Sequence, residues 1–304
     1  MLCSCGRPQA TLLAEKSDAD QKAVDDLTAQ LRDLRGPYGQ IIKAKINSLK
    51  ALIKAEDQFK RDLQRSQREL VSNLRAAVEI TSPDQLLMLS RDELMEFVIR
   101  SGLGLAVEDF VKAEDAITQT ALDTLQVVIG GADESDIPDL EALKISTADQ
   151  VFQDVIIPDT LTSVRSSLQG MSVGVPVGRA MSSLTQRLEQ STGTQLTQVR
   201  TQLSNYGRTV TAKAAEAYEM DLYLYTGPRD GETRSFCMPL INKVVTEKQM
   251  RRLDNGQGLP VKTSGGGYNC RHSWSPVTDT FVEAAGLDMA TASNINDANT
   301  GGAR

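Results

Sequence analysis

From Val24 to Val78 the apolar residues Leu27, Leu31, Leu34, Tyr38, Ile41, Ile42, Ile46, Leu49, Ile53, Leu63, Leu70 and Leu74 recur at steps that fit one face of a helix. Three-and-four spacing of this kind puts side chains on a single stripe. Gly36-Pro37 interrupts it. Proline cannot donate the helical hydrogen bond, yet it is tolerated in a first helical turn. The spacing therefore predicts a short helix ending near Arg35 and a long one from about Pro37 to Glu79, on the order of 60 Å at the usual rise per residue. A helix of that length outruns one compact domain, so its stripe must pack against other helices of the chain or against another subunit.

Later segments carry their own punctuation. Ser82-Pro83 supplies a capping residue and a first-turn proline, and Ser90-Arg-Asp-Glu93 has capping-box spacing for a helix ending near Gly102. A helix is expected from Leu105 to Ile129, then an exposed acidic linker over Ala132–Asp139. Shorter helices follow over about Thr147–Ile156 and from Pro158 to Leu168. Gly170–Gly178 reads as the most flexible stretch, and two helices are expected beyond it, Arg179–Gln190 and Thr194–Met220, parted by Gly193. After Met220 the period changes to alternation, which predicts strands at Asp221–Thr226, Lys243–Thr246 and Ser273–Val277. The predicted fold class is mainly α with a small α+β C-terminal domain and an elongated helical N-terminal region. The corresponding divisions are a flexible N-terminus (1–17), a long-helix region (18–131), a linker with short helices (132–178), the α+β domain (179–285) and a flexible tail (286–304), the last being rich in Ala, Ser, Asn, Thr and Gly.

Composition narrows the function. Only 4% of the 304 residues are aromatic, which suits long packed helices better than a deep enzyme core. The net charge of -7 comes from interleaved acids and bases, so no phosphate-binding face stands out and no direct nucleic-acid contact is expected. No stretch is apolar for long enough to span a membrane, and the first residues lack a secretion signal. A soluble protein made in the cytoplasm is expected.

Two of the four cysteines, the single His and the single Trp fall between Asp230 and Pro276. Glycine-rich turns at Asn255-Gly-Gln-Gly258 and Gly265-Gly-Gly267 can fold this stretch on itself, bringing Cys237 near Cys270. Cys237, Cys270 and His272 are candidate zinc ligands, because thiolates and imidazole suit that ion; a fourth ligand is missing from the pattern. A Cys237–Cys270 disulfide and two packed free thiols are the alternatives. Cys3 and Cys5 sit at the terminus and carry no expectation. A Cys/His nucleophile pair with Asp230 or Asp279 as orienter is the enzymatic reading. Gly265-Gly-Gly267 lacks the Lys-Ser/Thr of a phosphate loop. Arg234 and Arg271 are expected to pair with Asp230 or with carbonyls, and Trp274 to anchor the small core.

Taken in order, Tyr206–Tyr218, Asp230, Thr233-Arg-Ser-Phe-Cys237, Leu240, Lys243-Val and Asn269-Cys-Arg-His272 ahead of Pro276 resemble the C-terminal unit of the Mu F-like, or head-morphogenesis, minor head proteins of phages. The resemblance covers about Thr201 to Val277. It departs at the closing segment, where His272 stands in place of a second Cys and Gly265-Gly-Gly-Tyr268 in place of a His-Pro. The resemblance implies a non-enzymatic virion component, oligomeric in the particle, whose partners are portal, capsid or head-tail connector proteins. Its alternatives are an internal or tail-associated virion protein and a packaged Cys/His-dependent enzyme. Apart from possible zinc, no cofactor is expected.

Overall fold

The computed structural model describes residues 9–267 and 270–302, with side-chain surroundings from Asp20 onward. Cys3 and Cys5 therefore lie outside the described residues, as do Tyr268 and Asn269 of the closing segment. The chain is mainly α-helical, with a small four-stranded mixed sheet near its C-terminus. Two compact units divide it. One contains Lys54–Ala113 and Lys144–Gln202; the other contains Ala14–Ile53, Glu114–Leu143 and the chain from Leu203. The small sheet takes helical cover from segments far upstream, through Ile41, Val127 and Val128.

The stripe dictates the first two helices, α1 (Gln9–Asp33) and α2 (Gly36–Ile80). Gly36 adopts a left-handed φ of 71°, which glycine tolerates, and this turns the chain between them. Ala23, Val24 and Leu27 of α1 then bury against Ile42, Ile46 and Leu49 of α2, with Leu31, Leu34, Tyr38 and Ile53 around them. The stripe's cover is thus the chain itself, at least through these residues. Helix α1 also begins at Gln9, inside the stretch expected to be flexible.

The first unit is built from the remainder of α2 with α3 (Pro83–Leu87), α4 (Arg91–Val98), the start of α5 (Gly104–Ile129), most of α6 (Leu140–Val151), α7 (Ile157–Ser172) and most of α8 (Val177–Ala217). Capping boxes at Ser82/Gln85 and Ser90/Glu93 start α3 and α4. Phe59, Phe110 and Phe152 meet edge-to-face at ring separations of 5.8–6.1 Å, a geometry that suits the aromatic quadrupole.

Pro158 does not part α6 from α7: it falls in the first turn of α7, after a wide-turn segment at Phe152–Ile156. Gly193 does not break α8 either. Leu188, Leu196 and Val199 are buried on either side of it, and buried Thr192 bonds the Leu188 carbonyl at 2.9 Å and the Gln67 side chain. Packing of that extent outweighs the roughly 1 kcal/mol that glycine costs a helix. The expected flexible stretch 170–178 shrinks to a short turn between α7 and α8. In the second unit, the acidic segment 132–139 forms a short 3₁₀ turn and buries Ile137.

The sheet has the order β3-β1-β2-β4. Its strands are β1 (Leu222–Thr226), β2 (Lys243–Thr246), β3 (Ser273–Val277) and β4 (Asp288–Met289), and only the β2–β4 pairing is parallel. Short helices α9 (Glu247–Met250), α10 (Val261–Ser264), α11 (Asp279–Ala285) and α12 (Ala292–Gly302) lie between and after them. Leu222, Leu224, Val244 and Val277 pack on Ile41 of α2, Phe281 of α11, and Val127 and Val128 of α5. Alternation along β1 sends Tyr223 and Tyr225 to the opposite face, where Tyr225 pairs with Trp274 of β3.

Residues 286–302 are not a loose tail. Ile295 and Ala298 of α12 are buried, and the Asn299 side chain bonds the Asp254 N–H at 2.8 Å and the Arg252 carbonyl at 2.9 Å. A few apolar contacts combined with backbone hydrogen bonds hold a segment that its composition alone would leave free. Among the described residues, no helix is long and apolar enough to cross a membrane.

Candidate metal centre

On the tyrosine face of the sheet, two segments converge. Cys237 lies in the turns between β1 and β2, and Cys270 and His272 immediately precede β3. All three are buried. Their ligand atoms lie within 4.8 Å of one another, with 3.8 Å between the two Sγ atoms and 3.8 Å from Cys270 Sγ to His272 Nδ1.

Glycine makes the convergence possible at two points. A Cβ on Gly266 would stand 2.6 Å from Cys237 Sγ, and one on Gly227 would stand 2.3 Å from the His272 ring. Both distances are below any tolerable contact. In this arrangement the Gly266 N–H approaches Cys270 Sγ at 3.2 Å and donates to it.

The orientation of His272 is set from behind. Its Nε2 lies 2.8 Å from the Pro228 carbonyl. A carbonyl only accepts, so Nε2 carries the hydrogen and Nδ1 is the nitrogen turned toward the sulfurs. Thr233 Oγ1 lies 3.0 Å from the same Pro228 carbonyl and 3.1 Å from Asp230 Oδ1, and shares its one hydrogen between them. Arg271 grips the Asp230 carboxylate through both nitrogens, at 2.6 and 2.7 Å. That pairing, reinforced by Thr233 and the Glu232 N–H, holds the Asp230 carboxyl below its ordinary range. Asp26 of α1 also accepts from the Arg229 N–H at 2.9 Å, fixing the loop from outside.

Arg234 donates to the Gly266 carbonyl, and Arg208 of α8 to the Cys270 and His272 carbonyls. Trp274 donates from its indole to the Val261 carbonyl at 2.9 Å, and its ring lies 4.2 Å from that of Tyr225. Tyr225 also stacks on His272, 5.3 Å between centroids and 15° between planes.

The two thiols share their protons unequally. A hydrogen bond from Cys237, joined by one from His272 and by the charges of His272 and Arg208, holds Cys270 well below the ordinary thiol range. The same bond, with burial, pushes Cys237 upward. Cys270 is therefore the readier thiolate, and His272 Nδ1 faces it at 3.8 Å.

The donor set fits a metal ion. Two sulfurs each at the usual zinc–sulfur distance from a tetrahedral ion stand about 3.8 Å apart, and the two here stand 3.8 Å apart without a bond between them. A histidine ligand commonly donates its second N–H to a carbonyl or carboxylate, as His272 does to Pro228. The cluster could hold a metal through Cys237, Cys270 and His272.

Of the residues singled out in the sequence, Asp230, Arg234, Arg271 and Trp274 all surround this cluster. Asp230, one of the two acids considered as an orienter for His272, bonds Arg271 and Thr233 instead. Asp279 opens α11. Sequence reasoning missed Tyr225, Arg208, and the backbone groups of Pro228 and Gly266. Only Tyr225 had a signal, in the alternation of β1. No protein-family model matches the chain, and no curated protein or solved structure matches it significantly.

Proposed function

We propose that the chain is a non-enzymatic structural protein of a phage particle, of the Mu F-like minor head kind, whose C-terminal unit is fastened by zinc at Cys237, Cys270 and His272. The observation that carries this reading is the convergence of the spaced elements. Asp230, Thr233, Cys237, Cys270, Arg271 and His272 meet in one buried cluster or its immediate supports. Each of these six residues either offers a ligand atom or belongs to the bonded group around the Pro228 carbonyl.

Burial favours structure over catalysis. Cys237 is 0% exposed, Cys270 8% and His272 2%, and Gly266 lies directly over the sulfurs. A nucleophile needs a path for substrate. A structural zinc site needs the reverse, a closed shell.

Portal, capsid or head-tail connector proteins are the proposed partners, and the virion the proposed location. The α1–α2 stripe cannot be the main docking surface, because it is buried within the chain. The first unit instead exposes large apolar residues at helix ends. Ile80 ends α2, Met88 follows α3 and Val173 follows α7; they are 88%, 86% and 83% exposed. Ser172 bonds Asp84, which ties the end of α7 to the start of α3. Large exposed apolar side chains in a group mark contact surfaces more often than isolated ones do.

Mass spectrometry of purified particles tests the reading. The chain should be present at a copy number tied to portal or tail symmetry, and Ile80→Glu with Met88→Glu should lower its incorporation while leaving the fold unchanged. Absence of the unaltered chain from particles would overturn the proposal.

A further inference from the structure

We infer that Tyr225 supplies the fourth donor of this centre, closing it as a Cys₂HisTyr site. The inference rests on the zinc reading and names the position that the sequence pattern left empty. Tyr225 Oη lies 3.3 Å from Cys237 Sγ and 3.6 Å from Cys270 Sγ. Around a tetrahedral zinc ion, an oxygen ligand and a sulfur ligand stand about 3.5 Å apart. The hydroxyl therefore sits where the missing corner would be with respect to both sulfurs.

The position is held rigidly. Tyr225 is 0% exposed, its backbone is in the interior strand β1, and its ring packs on those of His272 and Trp274. The hydrogen-bond partners of its hydroxyl are the two thiol sulfurs, which are weak acceptors for a buried O–H. Space beside it is closed, since a Cβ on Gly265 would meet both Tyr225 Oη and Cys270 Sγ at 3.3 Å.

Binding balances simply. Zinc replaces the Cys237 and Cys270 S–H protons and the Tyr225 O–H proton, and all three leave to solvent. Two thiolates and one phenolate around a dication leave one negative charge. Arg208, on the Cys270 and His272 carbonyls, and Lys45, on Ser273 of the adjoining strand, lie close enough to offset it. A centre with four protein donors leaves no place for a bound water, so Tyr225 is what separates a closed structural site from an open catalytic one.

Cobalt(II) serves as the spectroscopic probe in the full-length chain, compared with Tyr225→Phe, which keeps the ring and its stacking. Cobalt added to the unaltered protein should give intense four-coordinate visible bands together with the ultraviolet difference absorption of one tyrosinate. In Tyr225→Phe the tyrosinate signal should vanish, the visible bands should shift and respond to added azide, and affinity should fall by about tenfold or more. Cobalt binding without a tyrosinate signal in the unaltered protein would overturn the inference while leaving the metal site standing, with Tyr225 only a hydrogen-bond donor. Should the Phe variant not fold, that first signal still decides. No uptake of cobalt or zinc by the unaltered protein would overturn the zinc reading and this inference together.

Discussion

The Pro228 carbonyl accepts the His272 Nε2–H at 2.8 Å and so turns Nδ1 toward Cys237 and Cys270. Thr233 bonds the same carbonyl, Asp230 holds Thr233, and Arg271 holds Asp230. One backbone oxygen thus joins three side chains to the orientation of one imidazole.

That chain of bonds predicts that Asp230→Asn weakens metal binding without removing a ligand. The neutral amide loses its charged, two-point grip on Arg271 and loosens the loop that presents Pro228. Outer-shell changes of this kind typically lower metal affinity by about 10- to 100-fold. Competition with a chromogenic chelator measures it, and unchanged affinity would mean that the loop holds His272 without Asp230.

A second prediction concerns Lys45, whose ammonium donates to Ser273 Oγ at 2.8 Å. Burial, with the charge of Arg208 nearby, lowers its pKa to about 7, against roughly 10.4 for an unfolded lysine. Below pH 7 both states carry the proton and the folded state bears the whole penalty. Between about 7 and 10.4 the unfolded state binds more protons, so stability attributable to Lys45 rises with pH. Lys45→Met should therefore be more stable than the unaltered chain at pH 6, by a margin that shrinks toward pH 10. Denaturant midpoints at the two pH values measure it; a margin independent of pH would contradict the account.

Helix α12 should contribute to the stability of the second unit. A Cβ on Gly301 would come within 2.6 Å of the Ser235 backbone, so Gly301→Ala is expected to destabilise by about 1–3 kcal/mol through overpacking. Thermal unfolding of this variant and of a chain truncated after Ala290 should both show a lowered midpoint. An unchanged midpoint on truncation would mean that α12 docks without stabilising.

Much of the helical framework was legible because it obeys local rules. The stripe from Val24 to Val78, the turn at Gly36 and the capping boxes at Ser82 and Ser90 each act within a few residues. So did the limits of β2 and β3. What local rules could not reveal was tertiary: Gly193 stays helical because Gln67 and Thr192 meet beneath it, and α12 forms because Asp254 and Arg252 await Asn299. At the centre, side chains fitted to metal chemistry stood out by rarity. Backbone atoms such as the Pro228 carbonyl and the Gly266 N–H left no trace in the sequence, and Tyr225 resembled an ordinary strand residue.

The most direct measurement is the zinc content of the purified full-length protein, by elemental mass spectrometry, alongside the Cys237→Ser/Cys270→Ser double variant. The account predicts close to one zinc per chain in the unaltered protein and a loss of that zinc in the double variant. No zinc after reconstitution under reducing conditions, or zinc retained in full by the double variant, would contradict it.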